Sequence, residues 1–134
     1  MAIVNPGFNS PAGSRKAVPP GQSIVDNWPV LTYGPTPEID ISKWALEISG
    51  AVNKPVTLDW QAFNELPTIQ LKTDIHCVTR WSRLGMEWRG VSLDTLIEQA
   101  GGLKEGARHL IGKCYGGYTT NVPIVDIAGG KSMI

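Results

Sequence analysis

The chemistry in this chain concentrates in one run, Asp74-Ile-His76-Cys77-Val-Thr-Arg80-Trp-Ser82-Arg83. A cysteine next to a histidine and followed by two arginines sits where nearby positive charge favours its thiolate. Thiolate is the form that binds soft metals and attacks electrophiles, so metal ligation and nucleophilic catalysis are both chemically open. The competing account is a small buried thiol at a strand end, with solvated arginines, because free cysteine is among the most buried residue types. A Cys77–His76 nucleophile pair meets a geometric objection: adjacent side chains on a strand point to opposite faces. His76 and His109 are the only histidines, so a zinc site built from protein alone would need both, plus cysteine or carboxylate. No Walker A loop, dinucleotide-binding glycine motif, H-E-x-x-H, G-x-S-x-G or C-x-x-C occurs.

The elements that would position this run can be read from periodicity. Trp44, Leu46 and Ile48 alternate with Ala45, Glu47 and Ser49, predicting a half-buried strand up to Gly50. A turn at Asn53-Lys54-Pro55 leads into a short extended piece at 56–58. Residues 59–65 predict a short helix capped by Asp59 and ended by Leu66-Pro67. Residues 68–78 predict a second strand in which Cys77 shares the parity of Ile69, Leu71 and Ile75. Ser92 caps a helix whose Leu93, Leu96, Ile97 and Ala100 form one apolar stripe, stopped by Gly101-Gly102. A further strand is expected around 108–114, followed by the glycine-rich turn Tyr115-Gly-Gly-Tyr118. Short strands, two short helices and heavy Pro/Gly punctuation indicate an α+β fold.

Residues 1–37 carry seven of the ten prolines. Proline fixes φ and removes a donor, so this stretch is expected to be an extended arm without a helix. The apolar patch Trp28-Pro-Val-Leu31 suggests that its second half is held. The domain division is therefore an arm over 1–37 and one domain over 38–134. Net charge is zero over 134 residues, so no overall field draws the chain to nucleic acid or anionic lipid. No apolar run approaches the roughly 20 residues of a membrane span, and neither a secretory leader nor a twin-arginine pair is visible. Two cysteines are too few for a disulfide framework. Together these features predict a cytoplasmic protein with free thiols. The five tryptophans are expected to pack in the core and at its edges.

The pattern Trp44-x-Leu-x-Ile-x-Gly50-x-Val52-x-x-Pro55, then Leu66-Pro67, then His76-Cys77-Val-Thr-Arg-Trp-Ser82 resembles the molybdopterin oxidoreductase domain. Sulfite oxidases and protein-methionine-sulfoxide reductase catalytic subunits share that domain. The arm segments Val18-Pro-Pro-Gly-Gln22 and Trp28-Pro-Val-Leu31, with Trp88-x-Gly-Val-x-Leu-x-x-Leu96 and Gly117-Tyr-Thr-Thr-Asn-Val-Pro123, extend the resemblance across residues 18–126.

It implies a sulfite-oxidase-type fold, a mixed sheet with short helices, and Mo-molybdopterin as cofactor. Cys77 is implied as molybdenum ligand, Tyr118 as a phenol near the reacting oxygen, and Arg80 as a cation for an anionic substrate or the cofactor. Tyr33, Gly34 and Cys114 are implied to line the cofactor. The implied function is two-electron oxygen-atom transfer on a small oxyanion or sulfoxide, with an unidentified electron-transfer partner.

Relatives continue past the tyrosine into Gly-x-Pro-x-Arg and Tyr-x-x-Lys segments that meet the cofactor's phosphate, whereas this sequence stops at Ile134. The expectation is a chain truncated at its C-terminus and not competent by itself. Two further readings are a cofactor-free remnant serving as an interaction module, and a cysteine-dependent hydrolase.

Overall fold

The computed structural model describes residues 18–29, 31–32 and 34–134. The chain forms two compact units. The first comprises described residues up to 29 together with 71–88, and the second comprises 31–70 and 89–134.

The first unit is built on the parts of β4 (Thr68–His76) and β5 (Trp81–Val91) that fall within 71–88; a tight turn joins them, and β1 (Ser23–Ile24) adds to the far side of β5. β1 runs parallel to β5, with Ser23 opposite Trp81 and Ile24 opposite Ser82. β5 is an element that periodicity does not reveal. Its sequence, Trp-Ser-Arg-Leu-Gly-Met-Glu-Trp-Arg-Gly-Val, is broken by two glycines and has no clean alternation. Gly85 explains why: it adopts φ 64° and donates its N–H to the Asp74 carboxylate. A left-handed glycine inside a strand marks a local kink. The proline-rich arm is held from Pro19 onward, where Gln22 N–H closes a turn on Pro19 O at 3.2 Å and β1 follows. The arm thus gains backbone partners that no local pattern announces.

Trp28 is the aromatic hub of this unit. It meets Trp81 and Trp88 edge to face, at 6.0 and 5.9 Å between ring centroids, and the Arg83 guanidinium lies 4.6 Å from its ring centre. Such geometry adds to simple area burial through the ring quadrupole.

The second unit holds the apolar core. β2 (Ala45–Ile48) and β3 (Val56–Asp59) pair antiparallel, with Leu46 opposite Leu58 and Ile48 opposite Val56. A short 3-10 turn over Ile41–Lys43 precedes them, its Asp40 cap accepting from Ser42 N–H at 3.0 Å. α1 (Trp60–Asn64) starts as expected, with the Asp59 carboxylate accepting from Ala62 N–H at 2.8 Å. α2 (Leu93–Gln99) starts at Ser92, whose hydroxyl accepts from Thr95 N–H at 3.0 Å. These caps satisfy amide donors that the first helical turn leaves unpaired.

Leu58, Val91 and Leu96 form the buried centre, with Leu46, Ile48, Phe63 and Leu93 packed against it. Trp44 closes one side, 5.2 Å from Trp60 and 5.3 Å from Phe63.

The hairpin of β6 (His109–Lys113) and β7 (Thr119–Pro123) pairs antiparallel from His109↔Pro123 to Lys113↔Thr119 and leads into α3 (Ile124–Ile127). Among the described residues no helix is long and apolar enough to cross a membrane.

The final residues are stapled back onto the second unit. Val91 and Ile134 exchange both backbone hydrogen bonds, at 2.8 and 2.9 Å, and the Asp94 carboxylate accepts from Gly129 and Gly130 N–H. Gly90 is required where this tail passes: a Cβ there would overlap the Ile134 carbonyl. Gly90→Ala is therefore expected to lower unfolding free energy by about 1–3 kcal/mol, as overpacking does. Urea denaturation followed by tryptophan fluorescence checks this, and an unchanged midpoint would refute the close approach.

Candidate functional site

Cys77 sits at the first corner of the β4–β5 connection. Arg80 N–H donates to Cys77 O at 3.1 Å, and Cys77 N–H donates to Trp81 O at 2.9 Å. This is the pattern of a three-residue hairpin loop that ends on a left-handed residue. That residue is Arg80, with φ 69°, the only non-glycine at positive φ among the described residues. Glycine or asparagine would sit there at lower cost; a residue with a Cβ costs on the order of 1 kcal/mol or more.

The thiol is partly exposed and receives the Thr79 hydroxyl hydrogen at 3.1 Å. That hydrogen bond, with the Thr79 and Val78 amides, holds the Cys77 pKa below the usual cysteine range, against a smaller opposing effect of burial. The favoured thiolate thus has a different origin from the one the sequence suggests. The donors are local groups of the turn, and the arginines do not enter among the causes. A donor to the charged form lowers a pKa as surely as a neighbouring cation does. Thr79 was missed because a threonine two residues beyond a cysteine is a faint signal until the turn brings its hydroxyl round.

His76 Nδ1 lies 2.8 Å from Ser82 Oγ, so that ring nitrogen is committed to a serine, and a Cys77–His76 nucleophile pair gains no support. Ser82 is fully buried, and its hydroxyl donates to Gln22 Oε1 at 3.1 Å.

Cys114 occupies the corresponding corner of the β6–β7 turn in the second unit. Its N–H donates to Tyr118 O at 3.1 Å, and Gly117 N–H returns to Cys114 O at 3.1 Å. Gly116 and Gly117 adopt φ 86° and 84°, so this turn differs in type from the one at Cys77 while sharing its hydrogen-bond pattern. The Cys114 thiol lies 3.5 Å from the Tyr118 carbonyl, and Tyr118 is 53% exposed. Gly34 adopts φ 75° with open space where a Cβ would stand. Tyr33 lies outside the described residues. The structure thus brings Cys77 and Arg80 together on one turn, and Cys114 and Tyr118 together on another. Among the described residues no group of three or more His, Cys, Asp or Glu could hold a metal ion, which leaves the zinc alternative without a donor set.

The class of protein follows from its relatives. Residues 33–134 match the family model for the oxidoreductase molybdopterin binding domain, and the chain belongs to that family. It is 39% identical over 118 residues to the uncharacterized oxidoreductase YuiH of Bacillus subtilis (strain 168), covering 87% of this chain and 59% of that protein. It is 36% identical over 89 residues to the protein-methionine-sulfoxide reductase catalytic subunit of Gluconobacter oxydans (strain 621H), covering 66% of this chain and 24% of that one. The sulfane dehydrogenase SoxCD of Paracoccus pantotrophus shares the fold, with a TM-score of 0.55 at 18% identity over 67% of this chain and 28% of that one. The expected molybdopterin-binding fold, a mixed sheet with short helices, is borne out.

The Cys77 pKa carries a sign that can be measured. A thiol whose folded pKa is depressed contributes stability that is present above the ordinary cysteine range and is lost as pH falls through the folded value. Replacing Thr79 by valine removes the leading cause of the depression. The pH midpoint for iodoacetamide alkylation of Cys77 should then rise toward that of a free cysteine. A midpoint unmoved by Thr79→Val would show that the hydroxyl does not tune the thiol.

Proposed function

We propose that this chain supplies the molybdenum-ligating part of a molybdopterin-dependent oxidoreductase, with Cys77 as the protein's ligand to the metal. One observation carries the proposal: a partly exposed thiol, kept toward its thiolate form, stands on a backbone-locked turn. The donor chemistry fits a metal that brings most of its own ligands, since a lone soft donor suits a centre completed by the pterin's sulfurs. When bound, that cofactor would supply two-electron oxygen-atom chemistry on a small oxyanion or sulfoxide.

The chain's own residues then take distinct tasks in this reading. Cys77 holds the metal. Arg80, at the far end of the same turn, offers its guanidinium to an anion. The Tyr118 phenol, at the close of the β6–β7 turn, orients a substrate oxygen or moves a proton to it. Tyr33, Gly34 and Cys114 line the cofactor, with Gly34 leaving room for a flat group to approach. The chain spans about 59% of the Bacillus relative, so the substrate, the electron-transfer partner and a cytoplasmic setting all belong to the proposal.

A second reading has one observation in its favour. The second unit exposes Ile111 on β6 and Val125 on α3, at 72% and 75%, as a module that binds another protein would. Metal analysis of the purified chain, beside its Cys77→Ser variant, separates the two. The oxidoreductase reading expects a stoichiometric amount of molybdenum in the unaltered chain and its loss in the variant. Molybdenum absent from both, with self-association on a sizing column, would favour the module.

A further inference from the structure

The first unit contains a chain of hydrogen bonds that ends on the Cys77 backbone. Gln22 Nε2 donates to Cys77 O at 3.0 Å, and Gln22 Oε1 accepts from Ser82 Oγ at 3.1 Å. Because the serine hydroxyl has one proton, used toward Gln22, His76 must present Nδ1–H to Ser82 Oγ across their 2.8 Å contact. The direction is then settled throughout, running from His76 through Ser82 and Gln22 to the Cys77 carbonyl. Turning the glutamine amide over would set its oxygen against the Cys77 carbonyl oxygen, two acceptors with no proton between them. Ser82 is fully buried, so its hydroxyl needs these partners.

The arm that delivers Gln22 is itself fastened to the same turn. Ser23 N–H donates to Arg80 O and Val25 N–H to Ser82 O, both at 2.9 Å. Arg80 carries the strained positive φ, which surrounding structure must hold in place. Cys77 O thus accepts two hydrogen bonds, one from Arg80 N–H inside the turn and one from a side chain 55 residues earlier.

We propose that Gln22 is a positioning residue for the Cys77 site. Its amide couples the proline-rich arm to the ligand turn and keeps Thr79 and the Cys77 thiol in register. The role rests on taking Cys77 as the metal's ligand. Gln22 touches no reacting atom and acts only through the backbone of that turn. Loosening the turn lets the Thr79 hydroxyl swing away from sulfur.

The test uses the full chain with Gln22→Ala and Gln22→Glu, following iodoacetamide labelling of each cysteine by peptide mass spectrometry at neutral pH. Gln22→Ala should slow labelling of Cys77 by roughly fivefold, the scale of losing one neutral amide–carbonyl hydrogen bond. Cys114, in the other unit, should react at its original rate and serves as the control for general unfolding. Gln22→Glu keeps an acceptor for Ser82 but cannot donate to the Cys77 carbonyl, and it should behave like the alanine variant. Amide exchange at Ser23 and Arg80 should quicken in both variants.

Cys77 labelling that is unchanged or faster would overturn the role. So would a glutamate variant with wild-type labelling, which would show the Cys77 carbonyl bond to be idle. Molybdenum analysis of the unaltered chain remains separate: its absence would sink the ligand reading, while the labelling would still decide whether Gln22 governs the Cys77 turn.

Discussion

The pair of backbone hydrogen bonds that closes residues 77–81 is the constraint on which the candidate site depends. Cys77 N–H to Trp81 O and Arg80 N–H to Cys77 O reverse the chain within three loop residues. Everything chemical about Cys77 follows from that reversal. It turns the thiol partly to solvent, brings the Thr79 hydroxyl onto sulfur, and forces Arg80 into a left-handed conformation. A thiol on a continuous strand would have none of these partners. It would be the inert, apolar-parity cysteine that alternation along β4 suggests.

The turn is strained, so its surroundings must hold it. β1 supplies two main-chain hydrogen bonds, to Arg80 and Ser82, and Gln22 supplies a side-chain one to Cys77. The tryptophan cluster of Trp28, Trp81 and Trp88 covers the same strand. The indole N–H groups of Trp81 and Trp88 are buried without a hydrogen-bond partner among the described residues, an uncommon arrangement that costs stability wherever it occurs. The second unit depends on ordinary apolar packing around Leu58, Val91 and Leu96. It contributes a second turn, Cys114–Tyr118, in which glycines take up the positive φ angles and strain is avoided. The two cysteine corners share a hydrogen-bond pattern, but at Cys77 a hydroxyl donates to the sulfur, whereas the Cys114 thiol faces the Tyr118 carbonyl.

The Cys77 turn can thus be read in two layers. The main chain sets where the sulfur stands, and the side chains of Thr79 and Gln22 set how firmly and in which protonation state. Metal ligation places demands on both layers, because a soft donor has to be deprotonated and held within a narrow geometry.

Much of this was legible in the sequence. The caps at Asp59 and Ser92, the strands around 45–48, 56–59, 68–76 and 109–113, and the family itself follow from local patterns, because capping, alternation and motif spacing are short-range properties. Elements with non-local causes were not legible. β5 looks irregular because Gly85 bends it toward Asp74, and β1 exists only because β5 lies beside it.

The same division runs through the site. Sequence alone singled out Cys77, since the run around it concentrates reactive groups and matches a family pattern. Tertiary structure decided what favours its thiolate, and the answer was a threonine hydroxyl and turn amides where charge counting pointed to arginines. It also disclosed Gln22, whose contact spans 55 residues of chain. A hydrogen bond depends on distance in space, and sequence separation carries no information about that until the chain has folded.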